Sequence, residues 1–178
     1  SIKLMKLSFT LLSILLLFSL QKNTVFAQNL VPNPSFENYN DLPDDLSQWW
    51  KLQNWNNVNN VIDVFPYGTP DFLHINGSND AQLPNSAFGT LTPFEGDAMI
   101  NLVVWEDLTP NFREYIATQL ITPLEVGATY TVSFQVSNGI ETTAIEGGYG
   151  ADGLGVHFSV NPLTQIDHEP INVIPQIE

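Results

Sequence analysis

The strict alternation of apolar and polar residues in two segments is the feature of this sequence that most restricts its fold. Every second side chain is apolar in TYTVSFQVSNG, residues 129–139, and LGVHFSVN, residues 154–161, repeats the pattern. Successive side chains of a β-strand point to opposite faces, so such segments form strands with one buried face. No dozen-residue segment after the N-terminal region has the apolar period of a helix. The sequence therefore predicts an all-β fold.

Three further strands are predicted, at AMINLVV (98–104), REYIATQLI (113–121) and VIDVF (61–65). Strands with one apolar face, joined by turns rich in Gly, Pro and Asn, are typical of an antiparallel β-sandwich. The stretch 38–96 contains few clean strands and several aromatic residues. It is too long for a single loop, so we predict irregular surface structure at one end or one face of the sandwich.

Residues 1–27 have the pattern of a secretory signal peptide. Two lysines precede an apolar run of about 14 residues at 7–20, and the small residue Ala27 stands at the expected cleavage point. The run is shorter than the roughly 20 residues that a membrane-spanning helix needs. We therefore predict export with cleavage, no membrane insertion afterwards, and one β-sandwich domain over residues 28–178.

The charge of the chain excludes some partners. Five Lys and Arg residues stand against 19 Asp and Glu residues, and after removal of the signal peptide only Lys51 and Arg113 remain basic. Such a chain is repelled by phosphate, so nucleic acid is excluded as a partner. The absence of cysteine excludes disulfides, zinc–thiolate sites and cysteine nucleophiles. An excess of carboxylates suits solubility and oxygen-ligated cations such as calcium.

The segment NLVPNPSFE, residues 29–37, resembles the first strand and turn of secreted carbohydrate-binding modules with the galactose-binding-like jelly-roll fold. Leu30 and Phe36 can enter a core, while Asn33-Pro34 turns the chain. Four later segments extend the resemblance in the same order, and with the first they span nearly all of 29–160: GTPDFLH (68–74), LPNSAFGTLTPFEGDAMINL (83–102), REYIATQLITPLEVGATYTVSFQVS (113–137) and DGLGVHFS (152–159).

Together these segments resemble a group of secreted Bacteroidetes proteins. In that group the module follows a signal peptide and precedes OmpA-like, gliding-motility or secretion-sorting C-terminal domains. The resemblance implies a bacterial protein that is secreted or on the cell surface, with a jelly-roll sandwich that binds glycans. It also implies that Glu37 helps to hold a structural calcium ion. Because members of the group continue with strands that close the sandwich, the chain is expected to lack these strands and its C-terminal partner domains.

A sugar-binding module needs aromatic rings that stack on sugar C–H faces, together with polar groups that bond the hydroxyls. Most aromatic residues of a domain this size pack in its core, which is the competing interpretation for each candidate. The residues predicted to touch a polysaccharide or cell-surface glycan are Trp55, Tyr67, Asp71, Phe72, Trp105, Arg113, Gln135 and His157.

Catalytic motifs are missing from the sequence. It contains no Gly-x-Ser-x-Gly elbow, no His-Glu-x-x-His, no phosphate loop and no dinucleotide fingerprint. We therefore expect a non-catalytic carbohydrate-binding or adhesion module of a larger protein, and not an enzyme. Two alternatives are a structural spacer or protein-interaction module and, with less support, an enzyme of the glycoside hydrolase type that uses two of the many carboxylates.

Overall fold

The regular secondary structure of this chain consists of short strands. The structure is a computed structural model that describes residues 28–59, 68–105, 109–138 and 154–177. These residues contain no α-helix, and their two single-turn 3-10 helices cover Trp49–Lys51 and Asn79–Ala81. The six strands are β1 (Trp55–Asn57), β2 (Asp71–His74), β3 (Asn85–Ser86), β4 (Gly89–Thr90), β5 (Ala98–Asn101) and β6 (Ile116–Thr118).

The strands form three small antiparallel sheets of two strands each. β2 pairs with β5 over four residues, β1 pairs with β6 over three, and β3 with β4 forms a hairpin. In the hairpin the Ser86 hydroxyl accepts the Phe88 N–H at 3.2 Å, and Gly89 takes a φ of 100° that favours glycine. The prediction of a mostly β, antiparallel structure is confirmed at this level. The predicted jelly-roll sandwich is not shown.

The β2–β5 sheet is covered on both of its faces. Phe72 and Leu73 are consecutive in β2, so they point to opposite faces, yet neither side chain has any exposed surface. One face carries the Leu73 cluster, in which Leu73 packs with Ala81, Leu83, Phe88 and Leu91. The other face carries the Phe72 cluster, in which Phe72 packs with Leu52 and Ala98 against the half-buried Phe36, Tyr39, Trp55 and Ile100.

This core corrects the prediction for the stretch 38–96. It was expected to decorate the surface, but it supplies every buried residue of the Leu73 cluster and most of the Phe72 cluster. The alternation rule missed β2 because a strand that is buried on both faces has no polar face to alternate with. The other strands in this stretch have only two or three residues, which is too short for a periodic signal.

The strand predictions had mixed outcomes. AMINLVV forms β5 in its first four residues, and REYIATQLI forms β6 in its middle three. VIDVF (61–65) and the signal peptide (1–27) lie outside the described residues, so both stay predictions.

The two clearest sequence patterns, 129–139 and 154–161, were wrong as strands wherever the structure describes them. Residues 129–138 form no strand, and Phe134 and Val136 are 52% and 58% exposed. In the second segment only Val156 makes a single bridge, to Ile177. Alternation yields a strand only when a neighbour supplies the hydrogen bonds and a second layer covers the apolar face. Neither condition is met by the described residues around 129–138.

We predict that the core depends on β2 and not on the alternating segment. Leu73→Ala should lower the free energy of unfolding by about 2–5 kcal/mol, because it leaves a cavity in a buried cluster. Phe134→Ala should lower it by less than about 1 kcal/mol, since the ring is half exposed. Urea unfolding measures both, with the fully exposed Val160→Ala as a control. Equal losses of unfolding free energy for Leu73→Ala and Phe134→Ala would contradict this prediction and show that Phe134 packs in a core.

Candidate metal centre

The opening segment 29–37 is held in place by one buried asparagine. The Asn33 side chain donates to the carbonyls of Asn38 and Gln53, both at 2.9 Å, and accepts the Asn38 N–H at 2.9 Å. Trp55 in β1 donates its indole N–H to the Asn33 carbonyl at 2.8 Å, and its ring lies 5.2 Å from that of Phe36. These contacts fix the direction in which the next residue, Glu37, leaves the turn.

The Glu37 carboxylate binds the backbone at the start of β5. Its Oε1 accepts the N–H groups of Asp97 at 2.8 Å and Ala98 at 3.0 Å. Gly96 makes this approach possible, because it has a φ of 67° and because a Cβ there would collide with the carboxylate. Since both N–H groups bind Oε1, the second oxygen of Glu37 is left for another partner.

His74, the last residue of β2, lies beside this carboxylate and is 2% exposed. Its Nδ1 accepts the backbone N–H of Asn76 at 3.0 Å, so Nδ1 carries no proton and the neutral ring holds its proton on Nε2. Tyr39 and Phe72 pack against the ring in edge contacts, at 5.1 and 6.1 Å between centroids. The imidazole is therefore rigidly oriented, and Nε2 is the ring nitrogen that can still donate a hydrogen bond.

Glu37, His74 and Asp97 together could hold a metal ion, and we name them the Glu37 cluster. One ligand atom from each lies within 4.8 Å of the other two. The two carboxylates are exposed and the imidazole is buried, so water could complete the coordination from the open side. Carboxylates suit calcium, magnesium and manganese, whereas imidazole suits zinc and other transition metals.

A second carboxyl group, Asp71, is buried at the other end of β2. Its Oδ1 accepts the Ser47 N–H at 2.7 Å, and its Oδ2 accepts the side-chain N–H of the cross-strand residue Asn101 at 3.0 Å. The Thr69 hydroxyl donates to the Ser47 hydroxyl at 2.9 Å. Burial raises the pKa of Asp71 to about 6, against these hydrogen bonds, which act to lower it.

Glu114 is the buried neighbour of Asp71. Its two oxygens accept the N–H groups of Thr69 at 2.9 Å and Val103 at 2.7 Å. Burial, and then the charge of Asp71, raise the pKa of Glu114 to about 8. All four oxygens of this carboxyl pair thus bind N–H groups of the protein. The pair ties the ends of β2 and β5 to the residues before β6 and leaves no oxygen directed at a ligand.

The structure separates the residues that were predicted to touch a glycan. Phe72 is completely buried and Asp71 is 4% exposed, so neither offers a surface to a sugar. Trp55 is half buried, and its ring and indole N–H contact the opening segment. Tyr67 lies outside the described residues.

The remaining four predicted residues lie on later parts of the chain. Trp105 is 57% exposed and Gln135 is exposed. Arg113 is half buried and donates to the Phe112 carbonyl at 2.6 Å. His157 has its Nδ1 3.0 Å from the carbonyl oxygen of Ile174.

Sequence reasoning identified Glu37 but missed its partners. His74 and Asp97 are 37 and 60 positions further along, and only the pairing of β2 with β5 brings them to Glu37. The sequence signal that could have drawn attention to them is Gly96-Asp97 directly before a predicted strand. Glu114 was missed for the same reason, because its contacts to Thr69 and Val103 join separate parts of the chain.

Comparisons with protein-family models, with curated proteins and with solved structures find no match to this chain. Among the residues that the structure describes, no helix combines the length and the apolar character required to cross a bilayer.

We predict that acid stabilises the fold through Asp71 and Glu114. Both pKa values are higher in the folded chain than the ordinary values of 3.8 and 4.5, so the folded chain binds more protons. The free energy of unfolding should therefore fall as pH rises from about 4 to about 8, by up to about 1.4 kcal/mol per pH unit for each proton. Denaturant unfolding at a series of pH values measures this slope.

Asp71→Asn tests whether the dependence of stability on pH comes from this carboxyl pair. The new amide can keep the hydrogen bonds to the Ser47 N–H and to Asn101, provided that the Asn101 amide rotates to accept. Without the Asp71 charge, Glu114 should lose its proton at lower pH, and the fall between pH 6 and 8 should become smaller. Asp80→Asn removes an exposed acid and should leave the slope unchanged. A wild-type stability that is constant from pH 5 to 8.5 would contradict the prediction.

Proposed function

We propose that this chain is an exported, non-catalytic module that binds carbohydrate or mediates adhesion as part of a larger bacterial cell-surface protein. We further propose that the Glu37 cluster holds a structural calcium ion. The observation that carries the proposal is the position of Glu37. It is the residue to which the resemblance assigns calcium, and it lies with His74 and Asp97 in a group that could hold a metal.

The chemistry of the Glu37 cluster favours an oxygen-ligated cation over zinc. A zinc ion on His74 Nε2 would require the ring proton to move to Nδ1, where the Asn76 N–H already donates. The free oxygen of Glu37 and the exposed carboxylate of Asp97 can bind calcium with no such change. Calcium takes six to eight oxygens, and water on the open side would supply the rest. His74 would then donate its Nε2 proton to a ligating carboxylate, as outer-shell histidines do.

Calcium should stabilise the folded chain. At about 100 times its dissociation constant, the ion adds about 2.7 kcal/mol and raises the unfolding midpoint by roughly 5–10 °C. Glu37→Gln should abolish this rise, because the amide oxygen can still accept the two N–H groups of β5 while the charge is lost. Differential scanning fluorimetry with calcium, zinc and chelator measures the shifts.

Glu125→Gln is the matched control for the calcium prediction, because Glu125 is an exposed acid outside the Glu37 cluster. It should respond to calcium as the wild type does. An equal calcium response in Glu37→Gln would contradict the assignment. If zinc stabilises the wild type, calcium does not, and His74→Gln removes the effect of zinc, then the cluster holds a transition metal on the His74 imidazole.

The buried carboxyl pair supports a non-catalytic function. Asp71 and Glu114 are the two acids whose pKa values are raised in the described residues, and such groups are often catalytic. Here every oxygen of the pair accepts an N–H of the protein, and the side chains are almost completely buried. A general acid or nucleophile must reach the substrate, so this pair is better explained as a structural joint.

Glycan binding should depend on exposed aromatic residues. Trp105 is 57% exposed and is the predicted site residue best placed to stack on a sugar. Trp105→Ala should weaken binding to a neutral polysaccharide about tenfold in affinity electrophoresis, which corresponds to the loss of one stacked ring. Phe94→Ala, at 76% exposure, is the aromatic control and should have little effect. No retention of the wild type by plant, algal or host polysaccharides would contradict glycan binding.

A protein-interaction module is the second candidate, and one observation favours it. Tyr130, Phe134 and Val136 are 40–58% exposed and recur at every second or fourth position of one segment. Exposed apolar rows of this kind are found where proteins associate. If no polysaccharide is bound, this segment becomes the first place to look for a protein partner.

A further inference from the structure

We infer that an open groove beside the β1–β6 sheet binds a neutral saccharide unit through three side-chain amides. The groove is open to solvent and has a volume of about 520 Å³. Its lining residues are Pro32, Asn54, Asn56, Gln119, Leu120 and Ile121. This inference rests on the proposed function and adds to Trp105, which does not line the groove, a ligand site made of residues that the sequence analysis did not select.

The three amides are exposed and lie in β1 or next to the ends of β1 and β6. Trp55 and Asn57 are buried more deeply than Asn56 between them, so Asn56 points outward from β1, and Asn54, directly before the strand, is exposed as well. Asn56 lies opposite Ala117 in β6, and the exposed Gln119 directly follows β6. The groove residues beside this sheet thus present three amides to the solvent.

The opening segment and the end of β6 supply the apolar part of the groove. The Ile121 N–H donates to the Leu30 carbonyl at 2.9 Å, which holds the opening segment against the residues after β6. Pro32, Leu120 and the 54% exposed Ile121 then line the groove beside the amides. Such surfaces can contact the C–H face of a sugar ring, although less strongly than an aromatic ring.

The three amide side chains differ from several other amides of the chain because they make no hydrogen bonds to the residues that the structure describes. Asn33, Asn57 and Gln165 each donate to backbone carbonyls and are buried. By contrast, the side chains of Asn54, Asn56 and Gln119 make no hydrogen bond to any other described residue. Each therefore keeps two donors and one acceptor for a ligand, and these match sugar hydroxyls, which both donate and accept.

The charge of the chain selects for a neutral ligand. None of the six lining residues is ionisable, although the sequence has 19 acidic residues. An anionic saccharide would meet no cation in the groove and would be repelled by the surrounding negative charge. The ligand class is therefore a neutral mono- or disaccharide unit, and not a uronic or sialic acid.

The test titrates the full chain with neutral disaccharides (lactose, cellobiose, mannobiose) and with digalacturonate, and follows the side-chain NH₂ signals by ¹⁵N NMR. At least one neutral sugar should shift the signals of Asn54, Asn56 and Gln119, and digalacturonate should not. Asn56→Ala and Gln119→Ala should each weaken this binding about three- to tenfold, the effect of losing one or two hydrogen bonds. Asn172→Ala, which removes an exposed amide elsewhere, should leave it unchanged.

The outcomes separate this inference from the proposed function. Retention on polysaccharide that survives both groove substitutions would overturn the groove assignment and leave carbohydrate binding intact. Amide shifts with a disaccharide, in a protein that no polysaccharide retains, would uphold the groove as a site for small sugars and contradict only the binding of polysaccharide. Shifts caused by digalacturonate as readily as by neutral sugars would overturn the neutral ligand class. Unchanged unfolding midpoints for both variants would show that the losses come from the groove and not from the fold.

Discussion

The rest of the described structure depends on the burial of one four-residue strand, β2, on both of its faces. Phe72 and Leu73 supply the two apolar clusters, and the polar residues at the ends of the strand are buried with them. A buried polar group is costly unless it is hydrogen-bonded, so Asp71 and His74 require partners from elsewhere in the chain. Distant segments converge on β2 because they supply these partners. The Glu37 cluster forms at one end of the strand for this reason, and the Asp71–Glu114 pair forms at the other.

Hydrogen bonds compensate for the small amount of regular secondary structure. Five backbone N–H groups, those of Ser47, Thr69, Asp97, Ala98 and Val103, bind the side chains of Asp71, Glu37 and Glu114. Among the described residues, no buried side-chain nitrogen or oxygen lacks a hydrogen-bond partner. Asp71 and Glu114, the two buried acids, thus act as connectors between irregular segments, and their raised pKa values are the electrostatic cost of that arrangement.

The opening segment 29–37 links the two places to which we assign a ligand. Its Pro32 lines the groove beside β6 and its Leu30 carbonyl accepts the Ile121 N–H, whereas Glu37 at its end reaches the start of β5. Between them, Asn33 ties the segment to β1 through Trp55. An ion on Glu37 would therefore stiffen the same segment that lines the groove, so the proposed calcium would support the proposed sugar site without contacting it.

The sequence by itself determined the β character of the chain and its acidic charge, because these depend on local residue types, whereas Glu37 was selected through the family resemblance of the segment 29–37. It also predicted β5 and β6, where alternation and a partner strand coincide. Only the tertiary structure decided that β2 is the core, that 129–138 is unpaired, and that His74 and Asp97 join Glu37. The physical reason is that burial on both faces, the presence of a partner strand and the meeting of distant side chains are properties of packing between segments, which no single segment encodes.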